Sequence, residues 1–434
     1  MDSGHLDKRH EKFCEDAETR SRTAAGLDRR EFMAAAGATA VVAAAGLGAS
    51  QAEAAFSDRV AGITQDEPME LIGTGVSAQE RFFKKFEEMS GGLQVTGQVA
   101  SLADSVQKWI TGGYETFSMI ETNAFRVPAL REAETIAPIP AEKITNWEFA
   151  DTLFTDPAHV GADHTSGWPV AMVYWDDSRT SFGMLPQIYN MDALGILPHK
   201  FADTQADRNT PDTLGVLYEG QWRDVDVRGK VSIQNEDLIG PPRCASYLVK
   251  NRKMDPVTVG YGDLEPDELK NVIDFLIGAK QDGVFRALWT NYGEAVNLLA
   301  SEEVWGIDCW NPVIEDVKKR GIPCWYVDVW EGTGAWYYGM CLSSEAPQPE
   351  VAMAYMDWCL EGWRGAADAE QGYYSPTPDT ARNYMTEDAW LKWYEGRGRD
   401  TGPKLRRQSN IAYWMIWPRN ITLFIKEWNR FLAA

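Results

Sequence analysis

Histidine is scarce in this chain of 434 residues, with five in all. Only His159, His164 and His199 lie beyond residue 54. No His-Glu-x-x-His, Gly-x-Ser-x-Gly or Walker-type phosphate loop occurs, so the common zinc-peptidase, serine-hydrolase and nucleotide-binding signatures are missing. The six cysteines form no Cys-x-x-Cys pair and no Cys/His spacing suited to a structural zinc site. Neither a metal nor a cofactor is therefore expected. Basic residues never run to five in a row, and the net charge is −22. That balance excludes nucleic acid as a partner, because phosphates demand clustered Lys and Arg. No apolar run reaches the ~20 residues of a membrane span. Trp414–Leu432 is interrupted by Pro418, Arg419, Lys426 and Glu427.

The first stretch reads as an address. Asp28-Arg29-Arg30-Glu31-Phe32-Met33 precedes a soft Ala/Gly-rich run to about Ala49, and Ala52-Glu53-Ala54 offers small residues for cleavage. This order resembles a twin-arginine export signal over 1–54, with a mature periplasmic protein beginning near Ala55. Loss of the leader removes 7 Lys/Arg and 9 Asp/Glu, which keeps the mature charge near −20. An acidic surface confers solubility and attracts cationic solutes.

Eighteen Trp and 16 Tyr are a high count. Such rings fill cores or line pockets that offer them polar handles. The hydropathy pattern alternates between strand and helix. Glu70–Gly75 is a short apolar run, and Ser77-x-x-Glu80 is expected to cap a helix with Phe82, Phe83, Phe86 and Met89 on one face. A strand over Leu93–Val99, a helix opened by Ser101-x-x-Asp104 and a strand over Phe117–Ile120 follow. Later segments predict strands at Lys230–Gln234, Val304–Trp310 and Trp336–Leu342, and helices at Pro266–Gln281 and Gln348–Glu361. The class is α/β with a mostly parallel sheet. Ligands of such sheets sit beyond strand carboxyl ends, which points to Gly73–Ser77, Glu121–Asn123, Gln234–Asp237 and Asp308–Asn311.

Five collinear pieces carry a resemblance. They are LIGTGVSAQERFFKKFEE, RGKVSIQNED, LLASEEVWGIDCWNP, GAWYYGMCLSSEAPQPEVAMAYMDWCLE and QGYYSPTPDTAR. Together they resemble the spermidine/putrescine-type solute-binding proteins of ABC importers. The resemblance implies a two-lobed periplasmic-binding-protein fold, type II-like, with ligand in the interlobe cleft. It implies lobe one over 56–182 plus 312–343 and lobe two over 183–311 plus 344–434. It further implies a monomer that carries a small-molecule solute to an inner-membrane ABC permease, and no enzymatic activity.

Cationic solutes need carboxylates or ring faces. The matching positions are Trp289, Trp310, Trp336, Tyr337 and Tyr373 for the aromatic wall, and Glu121, Glu236 and Asp308 for the charge, with Asp237 nearby. Two departures from the family stand out. Where polyamine binders carry an aromatic and an acid, this chain has Gly73-Thr74-Gly75-Val76. Free amides at Thr74–Ser77 would welcome a carboxylate, which favours a betaine-like or sulfonium zwitterion beside the polyamine expectation. The segment Tyr174-Trp175-Asp176-Asp177-Ser178-Arg179 is longer than its family counterpart; Trp175 is counted with the site, and Arg179 is expected on an aspartate or on ligand. Two alternatives use other readings of the same residues: a secreted carboxylate-dependent hydrolase such as a glycosidase, and a sensor of the same fold.

Overall fold

The computed structural model describes residues 55–156, 168–201, 213–222, 225–394 and 410–434. The leader and the segment holding His159 and His164 lie outside the described residues.

Three parallel strands open the molecule: β1 (Met69–Gly73), β2 (Val95–Val99) and β3 (Met119–Asn123), with β1 in the middle. Helix α1 (Glu80–Ser90) connects the first two and buries Phe82, Phe83, Phe86 and Met89, the face expected from their spacing. It ends on Gly91, whose φ of 76° is the left-handed turn that glycine tolerates best. The expected capping box is absent. Gln79 is the N-cap and makes no side-chain cap bond, while Ser77 is buried a turn earlier. Helix α2 (Leu102–Ile110) does start as its sequence predicts, with Ser101 Oγ accepting from the Asp104 amide at 3.1 Å.

The crossing strands follow. β4 (Leu185–Ile196) has every residue buried. A second parallel trio comes next, β5 (Val231–Gln234), β6 (Phe285–Trp289) and β7 (Gly306–Cys309), with β5 central. Strand β8 (Trp325–Val327) pairs with the end of β4, and β9 (Thr333–Ser343) returns antiparallel along it. β4 borders β9 through residues 185–192 and β7 through residues 193–196. β9 in turn borders β3 and, at its start, β10 (Ile411–Trp414). The full path is β6-β5-β7-β4-β9-β3-β1-β2. Each lobe is a parallel trio, and the two trios are joined by a pair of antiparallel crossing strands.

The core clusters divide the chain differently from the expected boundaries. Helix α3 (Gly240–Lys250) and helix α4 (Pro266–Gln281) pack with β5 in lobe two. Helix α5 (Tyr292–Ala300) and helix α6 (Asn311–Lys319) share a cluster with β7, where Leu299, Ile307, Val313 and Ile314 meet. Residues 312–326 thus pack with lobe two rather than lobe one. Helix α7 (Pro349–Cys359) packs with lobe one, its Tyr355 and Trp358 rings lying 5.2 Å and 5.6 Å from Phe86. Helix α8 (Trp363–Ala369) follows it there, through Phe82 and Trp363 at 6.3 Å. The terminal helix α9 (Ile421–Ala433) lies on α4 and buries Phe424, Trp428 and Phe431 in lobe two. The division by sequence followed the order of motifs; the packing follows which apolar face each helix presents.

Candidate ligand-binding cleft

A cavity of about 820 Å³ opens where the strand ends of both lobes meet. Thr74 follows β1, Ser101 follows β2 and Asn123 ends β3; Gln234, Trp289 and Trp310 stand at the ends of β5, β6 and β7. Ile188, Asp192, Trp336 and Tyr338 enter from the crossing strands. Parallel strands leave their carboxyl ends uncovered, so loops from six strands converge on one cleft.

Six of the ten expected site residues line it: Thr74, Glu236, Trp289, Trp310, Trp336 and Tyr373. The other four do not. Tyr337 points to the opposite face of β9 from Trp336 and packs in the lobe-one core, 5.4 Å from Phe154. Trp175 lies under the Arg131 guanidinium at 4.8 Å, away from the cleft. Its neighbour Arg179 stands over Tyr174, and Asp176 accepts from the amide and hydroxyl of Ser178. Glu121 is fully buried inside β3 and accepts from Gln187 Nε2 at 2.7 Å. The strand runs three residues further than its sequence predicts, so Asn123, not Glu121, reaches the cleft. A Cβ on Gly73 would come within 2.7 Å of Glu121 Oε2, so that glycine leaves room for the buried acid. Burial raises the Glu121 carboxyl pKa, opposed by Arg364, Ser77 and Gln187.

Asp308 sits one layer below the cavity, where it holds other residues. Its Oδ1 accepts from the Gln234 amide at 2.8 Å and from Trp289 Nε1 at 2.9 Å, and its Oδ2 meets Arg243. Arg243 Nη2 also donates to Asp192 Oδ2 at 2.7 Å, and Asp192 Oδ1 accepts from Trp336 Nε1 at 2.8 Å. Burial pushes the Asp192 carboxyl up, while Arg243 and the Trp336 indole pull it down. Sequence reasoning passed over both Asp192 and Arg243. Asp192 is a lone acid in a wholly buried strand, a signal that was available, since such a charge demands a partner.

The aromatic lining forms two corners. Trp310 lies 5.3 Å from Trp289 and 6.3 Å from Tyr292, and Trp336 lies 6.1 Å from Tyr373. Tyr292 Oη is fixed on Asp316 Oδ2 at 2.7 Å, and Asp316 also takes Lys319 Nζ at 2.9 Å. Glu236 differs. Among the described residues no ion pair involves it, and its pKa is raised to about 7 by burial first and by Asp237 next.

At Thr74–Ser77, where a carboxylate cradle is expected, three of the four amides are engaged within the turn. The Thr74 amide donates to Ser77 Oγ, Val76 to Thr74 Oγ1, and Ser77 and Ala78 to the Thr74 carbonyl. The turn uses these amides itself. The helix behind it starts only at Glu80.

No protein-family model and no curated protein matches the sequence. Solved structures do match in shape. The spermidine/putrescine ABC-transporter substrate-binding protein of Streptococcus pneumoniae aligns at TM-score 0.64 and 12% identity, over 85% of this chain and 99% of that one. An ABC-transporter substrate-binding protein of Bradyrhizobium japonicum aligns at TM-score 0.58 and 13% identity, over 85% and 100%. A binding protein of A. tumefaciens in complex with agropinic acid aligns at TM-score 0.53 and 14% identity, over 85% and 100%. The chain has the substrate-binding-protein fold. In that fold the cleft just described lies between the lobes, bounded by both parallel trios. Among the described residues no helix is long and apolar enough to cross a membrane, and no cluster of His, Cys, Asp and Glu is arranged to hold a metal.

Proposed function

We propose that the protein captures a small organic cation in the periplasm and delivers it to an inner-membrane ABC permease, without chemical turnover. The observation that carries this reading is the cavity between the lobes, lined by six strand ends and crossed by only two long strands. Binding energy that is larger in the closed state shifts the lobes together over the solute. The aromatic corners and Glu236 suit a positive charge. A glycosidase needs two carboxyl groups free to act on either side of a sugar bond. Here Asp192 and Asp316 already hold protein donors, which leaves Glu236 as the one carboxyl without an ion pair at the cavity wall among the described residues. The twin-arginine leader, cleaved near Ala55, would deliver the folded chain to the periplasm.

The test is calorimetry and solution scattering on the mature protein with a panel of cations, amino acids and sugars. One solute should bind at one per chain without product formation, and the radius of gyration should fall. A panel that leaves the scattering profile unchanged and yields no stoichiometric complex defeats the reading.

A further inference from the structure

The indole N–H groups of Trp289 and Trp336 each end on a different buried carboxylate, Asp308 and Asp192, at 2.9 Å and 2.8 Å. Those two acids share one guanidinium, Arg243, and all three side chains are at most 3% exposed. The triad therefore carries a formal charge of one minus; Asp192 touches the cavity wall, and Arg243 and Asp308 lie behind the rings. All four of its carboxylate oxygens receive a protein donor: Arg243 on both Oδ2 atoms, Trp336 on Asp192 Oδ1, and Gln234 with Trp289 on Asp308 Oδ1. A hydrogen-bond chain of this kind polarises its members. An indole whose N–H faces an anion holds more electron density over its ring face, which strengthens attraction to a cation.

A primary ammonium brings three N–H donors that need acceptors. In this cavity two of the three carboxylates already hold protein donors, Asp192 from Arg243 and Trp336, and Asp316 from Tyr292 and Lys319. The open side-chain acceptors Asn123 Oδ1 and Gln234 Oε1 are neutral amides, which supply no counter-charge. Glu236 is the one cavity carboxylate without an ion pair among the described residues, and a diamine or longer polyamine has two or more ends to satisfy. A methylated onium brings no N–H and asks only for ring faces. We infer that the cleft selects a solute with a single methylated onium head, a quaternary ammonium or a sulfonium, held by the Trp310 and Trp336 faces over the buried Asp192–Arg243–Asp308 triad, with Trp289 packed behind Trp310. This rests on the solute-capture reading and narrows it to a ligand class.

The experiment is isothermal titration of the mature protein with choline, glycine betaine, dimethylsulfoniopropionate, putrescine and spermidine. At least one methylated probe should bind 100-fold or more tightly than either polyamine. Trp336→Leu and Trp310→Leu should each weaken that probe by tenfold or more, Trp336→Phe should retain most of the affinity, and Glu236→Gln should cost less than either leucine variant. Melting curves of the variants separate lost binding from lost fold, and Trp336→Phe keeps the test open if a leucine variant is unstable. Putrescine or spermidine binding more tightly than every methylated probe overturns the inference. An amino acid or sugar bound tightly while all methylated probes fail also overturns it, but leaves solute capture standing. Failure of every solute in the wider panel removes both.

Discussion

Glu236 stands where its sequence position placed it, on the cavity wall, and its surroundings set how it would titrate. It lies two residues past β5, as expected for a strand-end ligand contact, but it has no cation of its own at hand beyond the more distant influence of Arg126. Burial and the neighbouring Asp237 raise its carboxyl pKa to about 7. The sign for binding follows directly. Above pH 7 the residue is charged and attracts a cation; as pH falls through 7 it takes up a proton and the attraction fades. Affinity for a monovalent cation should therefore be higher at pH 8 than at pH 6, by up to about tenfold for a single titrating group. Glu236→Gln should flatten that dependence and bind at pH 8 about as the parent does at pH 6. Calorimetry at the two pH values checks both statements, and an equal slope in the variant would assign the titration to another group. Trp336 and Tyr337 teach the complementary lesson. Both were expected at the site, yet adjacent strand residues face opposite sides, so one lines the cleft and the other fills a core.

At the scale of elements, most helices and strands could be read from periodicity. Pro266–Gln281 is a helix over the predicted span, and the Ser101 cap forms as written. The elements that resisted were those whose identity depends on distant partners. Residues 185–196 form one fully buried strand because β7 and β8 cover one end and β9 the other, information that no local window contains. Which strands α6 and α7 pack against depends on distant partners in the same way, Ile307 for α6 and Phe86 for α7. The crossing pair depends on close backbone approach. A Cβ at Gly339 would lie 2.4 Å from the Leu185 carbonyl oxygen, so the two strands meet only because that position is bare. Gly339→Ala should destabilise the protein by about 1–3 kcal/mol through overpacking, visible as a lower urea midpoint. Gly62→Ala, where nothing lies within 4 Å, is the matched control and should leave the midpoint in place. A second buried device sits in α8. Arg364 and Asp368, both without exposure, pair at 2.9 Å, and Arg364 also reaches the Ser77 carbonyl and the Tyr355 hydroxyl. Arg364→Leu strands Asp368 without its cation, a change that commonly costs about 3–5 kcal/mol. The double variant with Asp368→Leu should recover part of that loss in the same unfolding measurement.

The whole molecule carries a net charge of −22, and its buried acids give it a pH response that differs from that of a surface-charged protein. Glu331 is 1% exposed and lies between β8 and β9, where the chain re-enters the crossing pair. Thr213 Oγ1, the Leu214 amide at 3.1 Å and Asn251 Nδ2 at 3.1 Å all donate to its carboxylate. Burial nevertheless outweighs these donors and raises its pKa to about 7. Asp368 is raised to about 6, again by burial first, with Arg364 opposing. In the unfolded chain both groups return to ordinary carboxylate values. Between those values and the folded ones the native state holds protons that the unfolded state has released, so stability falls as pH rises through that window. The contribution is complete below about pH 4, and it is gone once pH passes the folded values of about 6 for Asp368 and about 7 for Glu331. The size linked to Glu331 is on the order of 3 kcal/mol. Thermal unfolding of the ligand-free mature protein should accordingly show a higher midpoint at pH 5.5 than at pH 8. Glu331→Gln cannot ionise but exchanges one acceptor oxygen for an NH2, so the Leu214 amide on Oε2 loses its partner at every pH if Oε1 is kept for Thr213 and Asn251; its midpoint should therefore fall less between pH 5.5 and pH 8 than the parent's. A variant whose pH profile runs parallel to the parent would mean that Glu331 does not titrate in this range and that the donors hold it charged throughout. Cation binding runs the other way, because it favours ionised Glu236. Saturating ligand should therefore raise the midpoint more at pH 8 than at pH 5.5, and the two opposing trends separate the titration of Glu236 from that of Glu331.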